Sequence, residues 1–190
     1  MDMMVDIETL GRQTNSAILS IGACRFERHS EDMDSETFYR NVDLQSCLDV
    51  GMAIDGSTVY WWLNNSAAAR QALCSPFPIR LGEALIDLNT FYQGADCVWS
   101  HGAIFDVVIL EEAYRRAFIP SGRPPWHYRK ARDTRTLFDP DVTPGYDDSK
   151  SSFREQDLGG TPHNARDDAI KQAKWVQRAF RLLKEVRRGA

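Results

Sequence analysis

Met3-Met4-Val5-Asp6-Ile7-Glu8-Thr9-Leu10-Gly11 is the stretch on which the reading of this chain turns. Met3, Met4, Val5 and Ile7 mark a short buried strand, and two acids, Asp6 and Glu8, interrupt it. Side chains two apart in a strand point to the same face, so both carboxylates project together at the strand's end. Like charges that close repel, and each loses hydration beside apolar neighbours. Two explanations are open from these residues alone. Either the last turn of the strand reaches solvent, where acids cost little, or the pair faces a divalent cation.

The downstream sequence bears on that choice. At 190 residues the chain is expected to form one domain, 1–190, with enough aliphatic residues, Trp and Phe for a core. No run has the apolar length of a membrane span, and the first residues lack a signal peptide's basic-then-apolar layout, so the expected location is cytoplasmic, without a membrane partner. Cys24, Cys47, Cys74 and Cys97 are far apart and never form Cys-x-x-Cys, which excludes a zinc knuckle and predicts reduced thiols. The net charge of −4 argues at first against a polyanionic partner, but setting aside four acids at one site leaves the rest of the chain neutral. Basic residues crowd 115–135, and Lys171, Lys174, Arg178 and Arg181 form a stripe read as a solvated helix face.

Beyond a polar turn at 12–17, the β-rich run 18–26 predicts a second strand antiparallel to the first, and alternation over 36–42 predicts a third. From 46 to 91 the period becomes helical. Ser57 or Thr58 is the expected cap of a helix carrying Val59, Trp61, Trp62 and Leu63, a short helix follows to Leu73, and another ends at Gly94. Residues 96–100 form a short strand, and the helix after it has Asp106 in its first turn, beyond the strand's carboxyl end, where open α/β sheets build sites. A short strand or turn near Arg132 leads into helix. The segment 139–157, rich in Pro, Gly, Asp and Ser, is expected to be a surface loop over the site. A final helix starts near Asn164 or Ala165 and buries Ala169, Ala173, Val176, Phe180 and Leu183.

The residues with chemical potential are therefore Asp6 and Glu8, then Asp106 in Ser100-His101-Gly102-Ala103-Ile104-Phe105-Asp106, then His163 and Asp168 in His163-Asn164-Ala165-Arg166-Asp167-Asp168-Ala169. Each has an ordinary structural explanation, since acids in a helix's first turn favour the positive end of its dipole. Together, their order and contexts coincide with a known pattern.

The chain resembles the DEDDh, or DnaQ-like, 3′–5′ exonucleases of the ribonuclease H-like superfamily. Asp6-Ile7-Glu8-Thr9 matches the first motif, Phe105-Asp106 the second, and His163-x-Ala165-x-x-Asp168-Ala169 the third, with Ile21-Gly22-Ala23 inside a matching second strand. Asp6 to Gly11, Thr58-Val59-Tyr60-Trp61-Trp62-Leu63 and Arg132-Asp133-Thr134-Arg135-Thr136-Leu137 are most similar to the phage-type branch near exonuclease VIII and the RNase AS-like exoribonucleases. Two departures stand out. Many relatives carry His-Asn where this chain has His101-Gly102, and Arg166 replaces an apolar residue.

The resemblance implies an α/β, ribonuclease H-like fold, a five-stranded mixed sheet flanked by helices on both faces. It also implies hydrolysis of single-stranded DNA or RNA from the 3′ end to nucleoside 5′-monophosphates. Two Mg²⁺ or Mn²⁺ ions would be held by Asp6, Glu8, Asp106 and Asp168, whose hard oxygen donors suit those ions. His163 would act as general base, a role suited to an imidazole's ordinary pKa of about 6.5. Thr9, Leu10, Trp61, Trp62, Phe105 and Arg135 are the expected substrate contacts. Leu10 would act through its backbone, and one of the two Trp would face the core and the other the substrate. Arg132 and Arg135 are open to two explanations, phosphate binding or an ion pair with Asp133 or another acid. Several relatives imply a homodimer.

A catalytically silent nucleic-acid-binding or scaffold module of this fold would not need all four acids and the histidine. A polymerase-associated proofreading subunit would need a docking tail, and only a residue or two are expected beyond the last helix.

Overall fold

The computed structural model describes residues 1–74, 76–117, 122–139, 141–143 and 159–189. Strand β1 (Asp2–Thr9) runs through the middle of the sheet. On one side β2 (Ile18–Phe26) pairs with it antiparallel and β3 (Met33–Asn41) pairs antiparallel with β2. On the other side β4 (Val98–Ser100) and β5 (Ala131–Asp133) are parallel, giving the order β3-β2-β1-β4-β5. Antiparallel neighbours need only turns, whereas the parallel pairs need crossovers, and helices supply them. The third strand begins earlier than its alternation suggests because Met33 pairs with Phe26 beyond an irregularity in β2.

Helices α1 (Leu44–Asp49), α2 (Gly56–Leu63), α3 (Ala67–Leu73) and α4 (Leu81–Tyr92) occupy the helical stretch. The cap of α2 is Asp55 rather than Ser57 or Thr58. Its carboxylate accepts from the Ser57 N–H at 2.7 Å and the Thr58 N–H at 3.2 Å, and also meets the positive end of the helix dipole. Helices α5 (Asp106–Arg116), α6 (Thr134–Leu137) and α7 (Ala165–Gly189) complete the described elements.

Alternation along β1 divides the core in two. Met3, Val5 and Ile7 join Leu81, Leu85 and Leu88 of α4 and Val107, Leu110 and Tyr114 of α5. Met4 faces the other way, onto Cys24, Phe26, Trp99 and the α7 stripe Ala169, Ala173, Val176 and Ala179. Each large aliphatic side chain so buried contributes about 1.5–3 kcal/mol. Phe180 and Leu183, expected in that stripe, are only partly buried at its rim; small alanines bring the helix close to the sheet. Asp6 and Glu8 share the face of Met4, so both look toward α7.

Cys24, Cys47 and Cys97 are buried free thiols and Cys74 an exposed one. Among the described residues no helix is long and apolar enough to cross a membrane. Of the expected surface loop, residues 140 and 144–157 lie outside the described residues.

Candidate active site

Asp6 pairs across the sheet with Gly22 of β2, and that glycine admits the C-terminal part of the site. A Cβ at residue 22 would stand 2.1 Å from the carbonyl carbon of Ala165 and 2.1 Å from the nitrogen of Arg166. The first turn of α7 therefore rests directly on the strand, and any side chain at 22 would lift Asp168 away from Asp6.

Local bonds fix how the chain enters α7. Asn164 Oδ1 caps the helix, accepting the N–H of Arg166 and of Asp167, both at 3.2 Å. His163, one residue earlier, has a left-handed backbone with φ 60°, which costs a non-glycine residue roughly 1–3 kcal/mol. Its N–H donates to Asp168 Oδ2 at 2.9 Å, tying the histidine to the acid five residues on. Lys171 Nζ holds the other oxygen, Asp168 Oδ1, at 3.4 Å.

Asp106 is 4% exposed in the first turn of α5. The turn before it passes through Gly102 at φ 121°, a conformation L side chains rarely adopt, and a Cβ there would lie 2.8 Å from Arg135 Nη1. The Arg135 guanidinium thus occupies the room that residue 102 leaves, and its charge acts on Asp106. Among the described residues that guanidinium has no hydrogen bond or ion pair. Asp133 is not its partner, nor that of Arg132. Asp133 caps α6 through the Arg135 N–H at 2.9 Å and accepts the Ala103 N–H at 2.8 Å, while Arg132 donates to the carbonyls of Arg129 and Ala131.

The acids interact strongly. Burial raises the Asp6 carboxyl well above its ordinary range, Asp106, Glu8 and Asp168 add repulsion, and a hydrogen bond from Gln172 opposes them. Burial, then Asp168 and Asp106, push Glu8 up to about 8. Burial lifts Asp106 to about 7, against the Ile7 N–H and Arg135, which favour its charged form. Groups raised in this way hold protons that a cation would displace.

The donors fit a hard divalent ion. Glu8, His163 and Asp168 each offer a ligand atom, all within 4.8 Å of one another, and Asp6 and Asp106 lie within electrostatic reach. Oxygen-rich sets of this kind suit Mg²⁺ or Mn²⁺ better than thiolate-seeking metals.

Beside Glu8 opens a cleft of about 430 Å³, lined also by Thr9, Arg12, Trp61, Trp62 and Phe105. Trp62 is 6% exposed and its Nε1 donates to the Thr9 carbonyl at 2.9 Å, whereas Trp61 is 48% exposed. Both rings nevertheless stand edge-on to His163, with centroids 5.0 Å and 6.0 Å away. Helix neighbours differ by about 100°, the reason for expecting only one at the site, but an indole is broad enough for Trp62 to serve core and site together. Leu10 departs from expectation. Its N–H is spent on Ala17 at 2.9 Å, its carbonyl on Asp55 at 2.7 Å, and its side chain packs with Trp62 and Ala69, so it stands behind the cleft. Sequence reasoning missed Arg12, which shows only as part of a polar turn, as well as Gln172 and the role of Gly22. For Gly22 a signal existed, a glycine within a β-rich run.

The family model described as the 3′–5′ exoribonuclease Rv2179c-like domain matches residues 1–180. Among solved structures, the chain is similar to cell-death related nuclease 4 (CRN-4), with TM-score 0.64 and 11% identity over 96% of this chain and 64% of that one. It is similar to exonuclease X in complex with 5′-overhanging duplex DNA, with TM-score 0.57 and 17% identity over 95% of this chain and 92% of that one. It is also similar to E. coli exonuclease I in complex with a 5cy-dA13 oligonucleotide, with TM-score 0.59 and 12% identity over 97% of this chain and 43% of that one. The chain therefore spans just under two thirds of CRN-4 and less than half of exonuclease I, and at these identities the likeness is one of fold. No curated protein sequence matches.

Proposed function

Since the chain belongs to the Rv2179c-like 3′–5′ exoribonuclease domain family, we propose that it removes nucleoside 5′-monophosphates one at a time from the 3′ end of single-stranded nucleic acid. RNA is the preferred substrate in this reading, because the family is described as exoribonucleases; DNA is the alternative, because exonuclease X and exonuclease I were solved with DNA. Residues 1–190 act as one exonuclease domain.

The observation that carries the proposal is the convergence of four acids from three distant parts of the chain beside one histidine. Asp6, Glu8 and Asp106 are each raised far above the carboxylate range, and Asp168 adds to the repulsion on Asp6 and Glu8. Asp6, Glu8, Asp106 and Asp168 would hold two divalent ions, Mg²⁺ or Mn²⁺. When bound, these supply the positive charge that offsets charge building up on the reacting phosphate.

The chain's own groups do the rest. An imidazole nitrogen of His163 takes the proton of the attacking water as its oxygen bonds to phosphorus. The bond from phosphorus to the neighbouring nucleotide's 3′ oxygen then breaks, and that oxygen leaves with a proton from solvent. Trp61 and Trp62 keep the imidazole from swinging away, and Asp168 holds its backbone. Trp61 and Phe105 stack against the terminal nucleotide, where stacking contributes roughly 1–3 kcal/mol per base. Thr9 borders the same cleft, and Arg135 binds a phosphate next to the acids.

The test is digestion of matched 5′-labelled single-stranded RNA and DNA with Mg²⁺ or Mn²⁺. The expected result is a ladder receding from the 3′ end in single steps, faster on RNA. Asp168→Asn should abolish it with the circular dichroism unchanged, and His163→Ala should slow it about 10²–10⁴-fold. Internal cuts, or full activity in either variant, would refute the reading.

A further inference from the structure

We propose that Gln172 is a positioning residue for the metal ligands, holding Asp6 in the orientation in which it can take a divalent cation. The inference rests on the functional reading above. Gln172 lies on α7 one turn beyond Asp168 and is 6% exposed. Its Nε2 donates to Asp6 Oδ1 at 2.8 Å, joining the last helix to the first strand.

The choice of residue is informative. Other α7 residues against this face of the sheet, Ala169, Ala173 and Val176, are apolar. An amide among them leaves its Oε1 buried without a hydrogen-bond partner, which destabilises a fold that a methionine or leucine would fill at no such cost. Once a cation has displaced the proton of Asp6, turning the amide over would set two acceptor oxygens against each other, so the donor toward Asp6 is the assignment that suits the metal-binding form. The unmet acceptor is left for a donor from outside the chain, such as the water a hydrated Mg²⁺ keeps.

What the bond accomplishes follows from the crowding. A carboxylate repelled by Asp106, Glu8 and Asp168 has every reason to rotate away from them, because its terminal torsion is soft. Anchoring Oδ1 to Gln172 stops that rotation and leaves the other oxygen for a cation. Lys171, the adjacent residue, holds one oxygen of Asp168 in the same way. Two consecutive residues of α7 thus orient two acids that start out 162 positions apart in sequence.

The experiment uses the full chain and Mn²⁺ alone, with free Mn²⁺ read by electron paramagnetic resonance and fold by circular dichroism. Gln172→Met, close in shape, and Gln172→Leu should both fold, melt no lower than the wild type without metal, and bind Mn²⁺ about 10–100-fold more weakly. Their turnover on labelled RNA should fall at low Mn²⁺ and recover as Mn²⁺ is raised, which a purely structural defect would not do. Wild-type Mn²⁺ affinity in a folded variant overturns the proposal, as does loss of fold in both, which would make Gln172 structural. If the wild-type chain itself binds no Mn²⁺, the functional reading falls as well; if it binds and the folded variants match it, only the role of Gln172 falls.

Discussion

Asp106→Asn separates the cost of the acid cluster from its use. Without metal, burial holds Asp106 at about 7 against its ordinary 3.8. Between these values an unfolded chain gives up this proton while the folded one keeps it. The folded state therefore loses stability as pH climbs from about 4 to about 7, and the loss stays constant above that. A gap of about three pH decades corresponds to something on the order of 4 kcal/mol. Asparagine cannot ionise, and its Oδ1 can still accept from the Ile7 N–H, though not as strongly as a carboxylate. Allowing about 2 kcal/mol for that weakened bond leaves a net gain of about 2 kcal/mol near pH 8. In a chain of this length that raises the melting temperature by about 4–8 °C. Removing Asp106 also relieves part of the repulsion on Asp6 and Glu8, which acts in the same direction. The assay is thermal melting in a chelator near pH 5 and near pH 8. The variant should melt well above the wild type at the higher pH and close to it at the lower, where wild-type Asp106 already carries its proton. Adding Mn²⁺ near pH 8 should then stabilise the wild type more than the variant, and the variant should have lost turnover. No gain near pH 8, or the same gain near pH 5, would refute the reasoning.

Gly22→Ala should lower stability by about 1–3 kcal/mol and abolish turnover although every acid remains, because the new methyl group displaces the first turn of α7. Melting and RNA digestion together check this, and a folded Gly22→Ala chain with wild-type turnover would refute it. Arg135→Ala should weaken RNA binding about equally for all sequences and reduce the slope of log affinity against log salt by about 0.7, with stability hardly changed. An unchanged slope in a salt titration would remove Arg135 from the phosphate contacts.

The sequence was most legible where the signal is local. Strand β2 begins and ends where its β-rich run does, and Asp106 falls in the first turn of the helix that follows β4. The acids and His163 stand out only together, because their order and local contexts match a known pattern although each alone has an ordinary structural explanation. Errors arose where neighbours compete for the same job. Asp55 lies one residue before Gly56 and takes the α2 cap that Ser57 or Thr58 could have taken, because a carboxylate accepts two N–H groups at once. Leu10 is expected at the site because of the corresponding position in relatives, and its N–H and carbonyl already pair with Ala17 and Asp55, which approach from elsewhere in the chain.

By itself the sequence determined the alternation that puts Asp6 and Glu8 on one face and most of the strands and helices around them, because periods of two and 3.6 residues are written into neighbouring positions, while the resemblance to a known family singled out the acids. Only the tertiary structure decided that Gly22 seats α7 on the strand, that Gln172 reaches Asp6, that Arg135 fills the space beside Gly102, and that both Trp61 and Trp62 meet His163. Those contacts depend on how closely and at what angle distant segments cross, which is set by the joint packing of the two cores rather than by any single stretch of chain.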